Sequence, residues 1–315
     1  MLGIVLLSRL LDFATEDEPR PLEGKMSFVL AERTRSALEG STFHGIQIYG
    51  DTKVELDGAV RLNWPSITRR AVGRYGICKI AIPCPTLCVA FAGNNLWHVD
   101  ELFSWMAENS PFEVSALISR AYEIHLDARS RDDIEFLICE TDTDDTGRIV
   151  CIKNGEVLDD QISAWIGSPI AFRELQEMRM NLLERESGHT PSVFSIFDEV
   201  IHSSSDDSVG GFTINVALRD GEFHFNDYLC SHVYKERTVK PGEAIRLFDS
   251  REDGGYTIEA GEMDGRPALS FPQTGKTVLY TNRWRYPDVT QSSVGLSHFY
   301  LPMLLESDSL VCVEP

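Results

Sequence analysis

No stretch of this 315-residue sequence reaches the roughly 20 consecutive apolar residues that a membrane-crossing helix needs, so no span is expected. The opening "MLGIVLLSRLLDF" is apolar, but Arg9 interrupts it. It also has neither a basic leading region nor a small-residue cleavage site, so an export signal is not expected. Positive charge is scarce: 29 Lys and Arg stand against 49 Asp and Glu, a formal charge of −20. Such a surface repels nucleic acid and anionic membranes, which argues against both as partners. Arg69, Arg70, Arg74 and Lys79 form the one basic cluster, and it reads as a solvated turn.

The seven cysteines contain no C-x-x-C and no clustering with histidine, which argues against structural zinc. Their odd number, without an export signal, fits a reducing cytoplasm, and Cys84 and Cys88 read as buried free thiols. The eight histidines (44, 98, 125, 189, 202, 224, 232, 298) show no ligand spacing, so no metal is assigned. Neither a Gly-rich dinucleotide fingerprint nor a phosphate-binding P-loop occurs, and no cofactor is expected. "TDTDDTG" lacks the spacing of a calcium loop and reads as an acidic hairpin turn.

What is present is a 43% apolar chain, enough for a large core. Residues 1–26 read as a leader. "MSFVLAERTR" alternates like a strand, "EGSTFHG" reads as a turn, and "GIQIYGD" as the hairpin partner. "ICKIAI" and "LCVAFAG" are two strands split by the proline turn "PCPT". Helical spacing follows twice: Leu96, Val99, Leu102 and Phe103 share one face, then Val114, Leu117, Ile118, Ala121 and Ile124. Three strands come next ("DIEFLICET", "RIVCIKNG", "ISAWIGS"). A helix entered through Ser168-Pro169 follows, then one with Val193, Ile196, Phe197, Val200 and Ile201 on a face. "GFTINVAL" and "EFHFNDYL" make a late hairpin, and residues 232–315 read as a β-rich C-terminal extension. Helix pairs separated by strands predict an α+β layered sandwich with helices on both outer faces.

Four landmarks then stand in order: "YGDTKVE" (49–55), "CKIAIPCPTLCVAFAGN" (78–94), "AWIGSPIAF" (164–172) and "DDSVGGFTINV" (206–216). Over residues 27–231 the chain resembles proteasome β subunits of the N-terminal-nucleophile hydrolase superfamily. The resemblance implies a four-layer αββα sandwich and an amide-bond hydrolase. It also implies assembly into homo-oligomeric rings, with an ATPase or regulatory partner controlling access. It assigns Asp51 and Lys79 to a charged pair beside the nucleophile and Gly93 to the oxyanion. Ser168 and Asp206 support the α-amine. Val209 stands where the family carries a serine.

The nucleophile of such an enzyme is the first residue of the mature chain, because its own α-amine is the base. Here that residue is Ser27, which opens the first strand directly after Met26. Its amine is freed either by cleavage after Met26 or by translation starting there. A different class of reading is a non-catalytic scaffold subunit on the same fold, and a third is a small-molecule amidase.

Overall fold

A computed structural model of the chain describes residues 27–38, 41–54, 75–93, 96–128, 134–141, 147–184, 192–233, 255–263, 266–271, 275–280, 302–306 and 309–311. The expected leader (1–26), Arg69, Arg70, Arg74 and most of the acidic turn after Thr141 lie outside these residues. Within them the fold is mixed, with four helices and three sheets whose strand pairings are all antiparallel. Among the described residues, no helix is long and apolar enough to cross a membrane.

The chain opens with a long hairpin, β1 (Phe28–Leu38) and β2 (Ser41–Gly50). Pairing continues from Val29↔Gly50 to Leu38↔Ser41. Residues 41–45, expected as part of a turn, therefore belong to the strand, because their backbone groups find partners on β1. β8 (Ser163–Gly167) pairs on the other side of β1, while β9 (Ile214–Arg219) and β10 (Glu222–Phe225) extend the sheet past β2. The second sheet runs β3 (Ile80–Cys84), β4 (Leu87–Gly93), β5 (Ile134–Glu140), β6 (Arg148–Lys153), β7 (Glu156–Leu158). The sequence pattern did not suggest β7. Its signal is Asn154-Gly155, both at positive φ, the tight turn that suits the twist of paired strands.

Alternation along β1 sorts its side chains into two cores. Val29 and Ala31, with Ile46 and Ile48 of β2, share a cluster with the second sheet and with helices α1 (Leu96–Glu108) and α2 (Val114–Ala128). Phe28, Leu30 and Tyr49 instead join Ala171 and Leu175 of α3 (Pro169–Glu184) and Ile196, Phe197 and Val200 of α4 (Val193–Ser203). Phe28 stacks on Phe197 at 5.0 Å between ring centroids. Both helix starts are capped: Ser168 Oγ accepts from Ala171 N at 3.0 Å, and Ser192 Oγ from Ser195 N at 3.1 Å. The apolar faces expected on α1, α2 and α4 are the ones that pack inward, with Val114, Ile118 and Val193 only partly covered.

The third sheet holds β11 (Tyr228–Val233), β12 (Gly255–Met263), β13 (Arg266–Phe271), β14 (Lys276–Tyr280), β15 (Pro302–Glu306) and β16 (Ser309–Val311) in sequence order. Ile258, Leu269, Phe271, Val278 and Tyr280 belong to the same core cluster as the second sheet. The Tyr280 hydroxyl donates to the Tyr75 carbonyl at 2.7 Å, tying this region to the segment that leads into β3.

Candidate active site

The segment after β2 turns inward rather than out to solvent. Asp51 N donates to Phe28 O at 3.1 Å, and Phe28 N donates back to Asp51 Oδ1 at 2.9 Å. Gly210 N reaches Asp51 Oδ2 at 3.2 Å, so the carboxylate is held from two distant parts of the chain. Lys79 Nζ lies 2.7 Å from Asp51 Oδ1 and 2.5 Å from the Lys53 carbonyl. Asp51 is 0% exposed and Lys79 2%. Lys79 thus leaves the solvated basic cluster in which the sequence set it. A lysine this deep persists because it is paired.

Burial is the largest influence on both members of the pair. It pushes the Asp51 carboxyl up, against Lys79 and the Phe28 and Gly210 amides. It pushes the Lys79 ammonium down, with Asp51 pulling it back. An ammonium has three N–H bonds. Two go to Asp51 and Lys53 O, leaving one for the pocket that Lys79 lines.

That pocket is small and is lined by Ser27, Lys53, Val54, Ile77, Lys79, Phe91, Gly93 and Leu96. Ser27, Lys79 and Gly93, far apart in sequence, therefore meet at one cavity. Ser27 itself has a φ of +145°, where L side chains are rarely found. Its carbonyl accepts from Ser168 N at 2.8 Å. Gly167 makes this approach feasible: at φ +89°, a Cβ there would lie 2.1 Å from Ser27 O. Gly167 N in turn donates to the buried Glu135 carboxylate at 2.8 Å.

Ser168 serves twice. Its oxygen caps α3 and its hydroxyl donates to Asp206 Oδ2. Asp206 Oδ1 accepts from Ser208 N at 2.9 Å and from Ser208 Oγ at 2.6 Å. Val209 is buried in the apolar cluster with Phe28, Leu30 and Ala171. The hydroxyl partner of Asp206 on its own turn is therefore Ser208, one position before the Val209 that stands where the resemblance expects a serine. Lys53 and Glu135 were passed over. The sign of Lys53 was its position two residues after Asp51. Glu135 offered none, being one charge in an otherwise apolar strand.

The thiols stand apart from this chemistry. Cys78, Cys88, Cys139 and Cys151 are buried and free, while Cys84 is half-exposed rather than buried as expected. Burial pushes the Cys78 and Cys151 thiols up to about 12, which makes them poor nucleophiles. Among the described residues no group of three or more His, Cys, Asp or Glu is set to hold a metal ion. A scan against protein-family models finds no match to the chain, and a search of curated proteins finds no match either.

Proposed function

We propose that the chain is an N-terminal-nucleophile amide hydrolase of proteasome-like type, with Ser27 as nucleophile. The observation that carries this reading is the buried Asp51–Lys79 pair beside a pocket that Ser27 and Gly93 also line. The two cores divided by β1 are what a four-layer αββα sandwich requires, with α1 and α2 outside one sheet and α3 and α4 outside the other.

In the proposed reaction the freed Ser27 α-amine, with an ordinary pKa of about 8, takes the hydroxyl proton as Oγ attacks the amide carbon. Lys79 places positive charge beside the forming alkoxide. Gly93 offers a backbone N–H to the oxyanion, a contribution of about 3 kcal/mol. The proton passes to the leaving amine. Water then hydrolyses the ester and restores Ser27. Ser168 and Asp206 brace the backbone of Ser27 and carry the proton relay.

The mechanism needs the Met26–Ser27 bond to be open. The φ of Ser27 supports that: strain of about 1–3 kcal/mol is typical of such backbone, and it vanishes once no residue precedes Ser27. Ring assembly of identical subunits and gated access by a partner belong to the same reading, as does a cytoplasmic setting.

The alternative is a non-catalytic subunit of the same fold, favoured by apolar Val209 where the family has a hydroxyl. N-terminal sequencing and labelling with a β-lactone probe decide between them. The hydrolase predicts an N-terminal Ser27 and labelling lost in Ser27→Ala and Lys79→Ala. A chain still joined at Met26 that takes no label selects the scaffold. Casein and capped dipeptide amides as substrates separate a protease from a small-molecule amidase.

A further inference from the structure

Glu135 sits near the start of β5, between Ile134 and Phe136, and is only 3% exposed. A carboxyl in such surroundings costs free energy unless hydrogen bonds compensate it. One of its bonds crosses from the second sheet to the first: Gly167 N donates to Glu135 Oε2 at 2.8 Å.

Three segments of the site meet at this bond. Glu135 pairs with Ala92 across the β4–β5 ladder, and the next pair is Gly93 with Ile134. Gly167 pairs with Phe28, the residue after Ser27. Beside it, Ser168 N donates to Ser27 O at 2.8 Å. Gly167 is also pressed against the other sheet, where a Cβ would lie 3.2 Å from the Ala92 Cβ. Glu135 therefore ties the end of β4, at Gly93, to the end of β8, where Ser27 is held. Ser27 and Gly93 line the pocket and Glu135 lies behind them, so it acts on the chemistry through them.

We infer that Glu135 is a positioning residue for Ser27. By accepting from Gly167 N it fixes the Gly167–Ser168 turn, and with it the separation of Ser27 from the Gly93 N–H. The inference rests on the reading of Ser27 as nucleophile and Gly93 as oxyanion donor, and deepens it by naming what sets their spacing. The role requires reach and an acceptor oxygen, not charge. Glutamine keeps both, whereas aspartate keeps the charge and is one methylene short.

Glu135→Gln, Glu135→Asp and Glu135→Leu in the intact chain separate reach from charge. Hydrogen–deuterium exchange with mass spectrometry reads the Gly167 and Ser168 amides, and β-lactone labelling reads Ser27. In Glu135→Asp and Glu135→Leu these amides should exchange faster. Labelling at saturating probe should slow roughly 10- to 100-fold, the scale of loss that a small misplacement of reacting groups produces. The probe concentration for half-maximal rate should stay unchanged, because Glu135 does not line the pocket. Glu135→Gln should exchange and label like the unsubstituted protein. Unchanged exchange at 167 and 168 in Glu135→Asp, or normal labelling despite faster exchange, overturns the inference. So does the reverse order, Glu135→Gln slow and Glu135→Asp normal, which assigns the effect to charge. Should Glu135→Leu fail to fold, the Gln and Asp variants carry the test by themselves. An unsubstituted protein that takes no label overturns the hydrolase and this inference with it. A labelled one in which Glu135→Asp behaves normally overturns this inference alone.

Discussion

Lys79 Nζ sits 2.7 Å from Asp51 Oδ1 with both side chains shut off from water. Two charges in that setting hold one another in place, and each is costly alone. Lys79→Met or Asp51→Asn should destabilise the fold by about 3–5 kcal/mol, because each leaves an unmatched buried group. The double substitution Asp51→Leu with Lys79→Met should recover most of that loss while abolishing any labelling of Ser27. Urea denaturation of all three variants gives the coupling directly.

Gly167 faces the Ser27 carbonyl at close range. A side chain at 167 would meet Ser27 O at 2.1 Å and would sit at φ +89°. Gly167→Ala should cost about 1–3 kcal/mol from backbone strain alone. It should also lower β-lactone labelling more than its fall in melting temperature explains, since Ser27 has to move.

Asp206 draws its local hydroxyl from Ser208. Ser208→Ala should destabilise by about 1 kcal/mol, the usual worth of a hydrogen bond to a buried hydroxyl. Val209→Ser should cost a similar amount or more through lost packing against Phe28 and Leu30. It should not raise labelling, because Ser208 already fills the role. A Val209→Ser protein that labels faster than the unsubstituted one would contradict this.

Two carboxyls give stability opposite slopes with pH. Burial raises Asp100 to about 6, so the folded state holds its proton more firmly than the unfolded chain does. Its contribution is full below the unfolded carboxyl pKa of about 3.9 and is lost as pH rises through about 6. Asp100→Asn should therefore raise the melting temperature at neutral pH and change it little in acid. Glu174 runs the other way. Burial pushes it up, but hydrogen bonds from Ser204 and Ser205 outweigh this and hold it low. Its contribution is present above the ordinary carboxyl range and fades as pH falls through its lowered value. Glu174→Gln should flatten the acid side of the curve. Melting curves across the acid range read both slopes.

Much of the local structure was legible from the chain. The pattern of "SFVLAER" told that β1 is a strand, and helical spacing told which faces of α1, α2 and α4 turn inward. These patterns are written by neighbours two, three and four residues apart. The hairpin from 28 to 50 and β7 were less legible. Strand length depends on whether a partner continues the ladder, as β1 does for residues 41–45.

The site divides along the same line. Sequence alone nominated Ser27, Asp51, Lys79, Gly93, Ser168 and Asp206, through short motifs and their order. Only the tertiary structure decided that Asp51 and Gly210, 159 residues apart, share a hydrogen bond. It also showed that Ser208 rather than position 209 serves Asp206, and that the Lys53 side chain donates to the Asp207 carbonyl. A side chain's type and the period of its neighbours are local properties. Which charges end up paired depends on strands and turns that meet only once the whole chain has folded.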